Sequence, residues 1–184
     1  MIPTLPLRLR NRLAETILAA LRDTDARREL AGLAAEPGAG GWLAGDEGRW
    51  ADPLAARARS ACAALADRPL LSEAPDLSET LEAAAALFDA GLYFEVHEIL
   101  EPHWVAASGQ AREALQGLIQ VAVAWQHLAN GNLAGARSLF LEGSGRLHGA
   151  RLLHLDLEPF ARAAAEAADR VASGLTITAP PFPH

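Results

Sequence analysis

The sequence predicts an all-α protein, a compact helical bundle with an N-terminal helical extension. Three observations carry that prediction. Apolar residues recur at spacings of three and four over most of the chain. Glycine and proline fall between these runs, where helices have to stop. One stretch, residues 110–129, is nonpolar nearly all round, as a central helix of a bundle should be. A length of 184 residues suits one domain with a proper core, or one domain carrying an extension.

In chain order, Leu9, Leu13, Ile17, Leu18, Leu21, Leu30 and Leu33 read as one long helix from about residue 7 to 35, with its candidate break at Asp23-Thr24-Asp25. The Gly-rich residues 36–50 form a loop anchored by Trp42 and Trp50. A helix follows from near Asp52, with Pro53 in its first turn, and ends before Pro69. Pro69 and Pro75 mark a boundary, giving an extension over 1–75, a bundle domain over 76–174 and a Pro-rich, extended and mobile tail over 175–184. Within the bundle, Asp76 or Ser78 caps a helix, Asp76 standing in capping-box order with Glu79. That helix runs to Ala90 and ends at Gly91. The next covers 92–101, where Pro102 must end or kink it. Gly131 and Asn132 then close the central helix and open its successor, and a last helix covers about 159–173.

Charge and cysteine content narrow the function. The net charge is −7, and residues 76–184 hold six Arg against thirteen acids, while residues 1–75 are balanced. An acidic body is a poor partner for phosphate backbones, so nucleic-acid binding is not expected. Cys62 has no second cysteine to pair with, the N-terminus lacks the order of a secretory signal, and no uncharged apolar run reaches the roughly 20 residues that span a bilayer. A cytoplasmic chain with no membrane partner is expected.

One constellation can carry chemistry. In a helix His97 and Glu101 share a face, and Glu98 lies one position round, so an imidazole and two carboxylates converge within a turn. The spacing is that of a His-Glu-x-x-His zinc helix with a carboxylate in place of the second histidine. On the next helix Gln116, Gln120 and His127 form a polar stripe on a greasy cylinder, which needs partners and is expected to face the first helix. A divalent metal ion, its identity open, is expected on His97, Glu101 and His127, with Glu98 as general base. Tyr93, Trp104, Gln116 and Gln120 are the surrounding groups that would orient those ligands. The competing reading is structural: a satisfied buried network of His, Glu and Gln, with Tyr93, Trp104 and Arg112 as donors, inside a helical interaction module.

The run Phe88-x-x-Gly91-x-Tyr93-Phe94-Glu95-x-His97-Glu98-x-Leu100-Glu101-Pro102-x-Trp104 resembles the domain of unknown function 309 family. So does Leu115-Gln116-Gly117-Leu118-Ile119-Gln120-x-Ala122, followed by His127 and Gly131-Asn132-x-x-Gly135-Ala136. The resemblance covers about residues 76–174. It implies a small all-helical bundle and a metal-dependent hydrolase-like activity, with His97, Glu98, Glu101, Trp104, Gln116 and Gln120 as the positions to watch. It says nothing of the first 75 residues. The expected ligand is a small molecule of unspecified kind, and self-association into a homo-oligomer stays open.

Overall fold

A computed structural model describes residues 5–184. The described residues form α1 (Leu7–Ala20), α2 (Thr24–Ala35), a 3-10 turn (Gly45–Trp50), α3 (Ala51–Leu65), α4 (Leu77–Asp89), α5 (Tyr93–Ala106), α6 (Gly109–Ala129), α7 (Leu133–Leu147) and α8 (Glu158–Ala172). The fold is an all-helical bundle with extra N-terminal helices. Between α7 and α8 a two-residue hairpin pairs Arg151–Leu152 with Leu155–Asp156, too short to alter the class. Among the described residues no helix is long and apolar enough to cross a membrane.

Local signals explain most boundaries. The carboxylate of Asp23 accepts hydrogen bonds from the backbone of Asp25 and Ala26 at 3.1 and 3.2 Å, which restarts the chain as α2 and divides the long N-terminal run. Asp76 and Glu79 close a reciprocal capping box on α4 at 2.9 and 3.0 Å. Gly91 and Gly131 take φ of 75° and 77° to end α4 and α6, a conformation that costs glycine little.

Three expectations are corrected here. Pro102 does not end α5, which continues to Ala106. Proline removes one backbone donor, and the turn beyond it closes on its own, with Ala107 N–H donating to His103 O at 2.9 Å. The loop before α3 contains a 3-10 turn, held by Glu47, which accepts from Ala44 N–H and pairs with Arg8. The C-terminal tail has no regular structure, yet Phe182 is 1% exposed and packs on Phe88 and Phe160 at centroid distances of 5.1 and 5.5 Å. An aromatic ring buried to that extent holds the tail against the bundle.

One hydrophobic core runs from Leu9, Leu13 and Ile17 of α1 through Leu87 and Phe88 of α4 to Leu118 of α6 and Phe140 of α7. Helix α1 packs on α2, α3 and α5, while α6 lies between α5 and α7. The α6–α7 approach is close. A Cβ at Gly143 would stand 2.8 Å from Val121 Cγ2 and 3.0 Å from Gly117 O, so only glycine fits.

Candidate metal centre

Helix α5 is built on a stripe that faces the core at i, i+3, i+4, i+7 and i+8. Leu92, Val96, Ile99 and Leu100 occupy four of those positions and are buried. His97, Glu98 and Glu101 fall just beside the stripe, so the core does not swallow them. The side chains of His97 and Glu98 are 30% and 34% exposed and stand 3.0 Å apart, Nδ1 to Oε1, while Glu101 is exposed. One ligand atom from each of the three lies within 4.8 Å of those of the other two. One imidazole and two carboxylates at that separation, open to water, can hold a divalent cation.

Two hollows meet at Glu98. One, of about 340 Å³, runs between Phe94 and Glu98 of α5 and Arg10, Asn11, Glu15 and Leu18 of α1. The other, of about 330 Å³, continues past Leu18 and Glu98 toward Arg22 and Pro102. Glu98 therefore sits in the wall of a groove that the N-terminal helix helps to form.

Glu95, to which the sequence reading gave no role, occupies the fifth position of the buried stripe. It is 0% exposed, and neither carboxylate oxygen has a hydrogen-bond partner. Burial pushes its pKa up; Arg57 and the polar amide of its own backbone oppose that rise, the charge of Glu98 adds to it, and the more weakly felt Arg10 again opposes it. Arg57 is itself buried, with its Nε unpartnered. A carboxylate at a core position of an otherwise apolar stripe is visible in the sequence, and that register alone could have singled it out.

The remaining predicted site residues lie elsewhere. The expectation that the α6 stripe faces α5 is corrected: Gln120 turns to α7, where its Nε2 donates to Glu142 at 3.1 Å and its Oε1 accepts from Arg146 Nε at 3.1 Å. Arg146 also pairs with Glu113. Helix α7 thus supplies the partners that α5 was expected to offer. His127 stands at the α6–α7 turn with Nδ1 2.8 Å from Asn132 Nδ2, and it is not in the group that converges around His97. Gln116 is half-buried. Tyr93 packs edge-on against Phe88 at 5.0 Å, and burial raises its pKa, as does Asp89. Trp104 lies under the guanidinium of Arg112 at 4.2 Å, its indole N–H buried without a partner.

Residues 81–139, from the first turns of α4 to the middle of α7, match the domain of unknown function DUF309. That matched stretch is what the chain shares with DUF309. All three clustered residues lie inside the matched stretch, whereas the α1 side of the groove lies outside it. No curated protein and no solved structure matches the chain.

Proposed function

We propose that this DUF309 protein is a metal-dependent hydrolase whose divalent cation is held by His97 and Glu101, with Glu98 as general base. The observation that supports it best is the 4.8 Å convergence of imidazole and carboxylates on a half-exposed turn of α5. When bound there, a divalent ion supplies Lewis acidity and makes water more acidic. His97 and Glu101 would bind it from successive turns of one face, a spacing that a rigid helix fixes without ordering a loop. Glu98 lines the groove and can take a proton from water entering it.

The competing structural network is weakened by the turn of Gln120 away from α5. Gln120 is satisfied on α7, and the α5 cluster is half open rather than sealed. The test is metal content. The full chain purified from metal-replete medium should contain about one divalent ion per molecule, lost in Glu101→Ala without loss of fold. A chain that takes up no ion from zinc or manganese buffers would refute the proposal.

A further inference from the structure

The DUF309 stretch supplies only one wall of the space in front of Glu98. The other wall is α1, and its most distinctive group is Arg10. Its guanidinium lies 4.3 Å from the centroid of the Phe94 ring, half-buried, in the 340 Å³ hollow that Glu98 also lines. Nε and Nη2 both donate to the neutral Oδ1 of Asn11, at 3.2 and 3.0 Å. No carboxylate lies within ion-pairing distance of Arg10, and its Nη1 has no partner among the described residues.

Arg8, Arg28, Arg146 and Arg162, by contrast, each sit against an acid. In the adjoining hollow Arg22 likewise pairs with no acid. A guanidinium stacked on an aromatic face, with part of its fork unused and directed at a groove, is preorganised for an oxyanion. The acids facing the same hollow are Glu15, on the exposed rim, and Glu98. A cation held beside Glu98 would offset their repulsion of an anion.

We propose that the α1–α5 groove is the substrate cleft and that Arg10 is its anion-binding residue, so that the substrate carries an oxyanion, phosphate or carboxylate, next to the bond to be hydrolysed. This rests on the metal-centre reading for the chemistry at Glu98. It adds that a residue outside the DUF309 stretch selects the substrate.

The experiment uses the full chain with stoichiometric zinc. Inorganic phosphate and acetate are titrated in separately, while side-chain Nε–H resonances of arginine are followed by NMR. Zinc uptake is measured in parallel. One of the two anions should shift the Arg10 signal, identified by its loss in Arg10→Lys, and the one that binds more tightly gives the oxyanion class. Arg10→Gln should weaken that anion by roughly tenfold or more with zinc uptake unchanged. If zinc binds but neither anion moves the Arg10 signal, or if Arg10→Gln binds the anion as well as the parent does, the cleft assignment falls and the metal centre stands. If zinc does not bind yet an anion still shifts Arg10, the metal reading falls and the anion site stands. The Arg10 signal is read in the unaltered chain, so the outcome holds even if Arg10→Gln folds poorly.

Discussion

The two sides of the α5–α6 hairpin treat polar residues in opposite ways. On the α7 side, Gln120, Glu113, Glu142 and Arg146 are interlinked, each side chain answering another. On the α1 side, among the described residues, neither carboxylate oxygen of Glu95 has a hydrogen-bond partner, and neither Arg10 nor Arg22 makes a close ion pair. There His97, Glu98 and Glu101 converge mainly on one another. Both sides put polar groups on apolar helices, and the sequence alone does not separate them. What separates them is satisfaction: a network with every member paired stabilises a helix contact, whereas groups left unpaired in a groove are available to a ligand.

The largest effect that could break this contrast is loss of metal. His97→Ala should lower metal affinity roughly 100-fold or more, measured by competition with a chromophoric chelator, while Arg146→Ala leaves it unchanged. Equal losses in the two variants would erase the distinction between the sides.

Next in size is Gly143→Ala at the closest approach of α6 and α7. The added Cβ meets Val121 and the carbonyl oxygen of Gly117, and a backbone atom cannot step aside as a flexible side chain can. A destabilisation of about 1–3 kcal/mol is expected from urea unfolding. Gly145→Ala, where a Cβ meets nothing within 4 Å, should be neutral or slightly stabilising. Arg146→Ala should cost less, about 1 kcal/mol, because the arginine and its partner Glu113 are partly exposed and screened. Most of that loss should come from Gln120, left without its donor on a half-buried face.

The helices and their stops were legible because caps and periodicity act locally. Asp76 with Glu79, Asp23 before Thr24, and Gly91 and Gly131 each fix a boundary through neighbours a few residues away. The His97, Glu98 and Glu101 cluster was legible for the same reason, since one helical turn brings all three together. What lay beyond a single helix was not. Gln120 and His127 were assigned to α5 because α5 precedes α6 in the chain, but α6 has two neighbours, and partner choice depends on tertiary packing. Glu95 was overlooked because a motif draws attention to His97 and Glu98, while the core register that marks Glu95 runs through the same ten residues.

Glu95 yields the smallest predicted effect and the one that bears most directly on the contrast. Its pKa in the folded chain is raised by burial above the ordinary 4.5. Such an acid contributes stability that is fully present below the unfolded pKa and is lost as pH rises through the folded value, because the fold must then keep it protonated or bury its charge. Glu95→Gln removes the ionisation and keeps the shape. The glutamine amide inherits the lack of partners, so the net gain should be under about 1 kcal/mol near neutral pH. The difference between the two chains should shrink as pH falls toward 4.5 and widen as it rises. Urea midpoints measured at three pH values across that range test this. A difference that does not change with pH would mean that Glu95 is held as a paired carboxylate, and the α1 side would then be as fully satisfied as the α7 side.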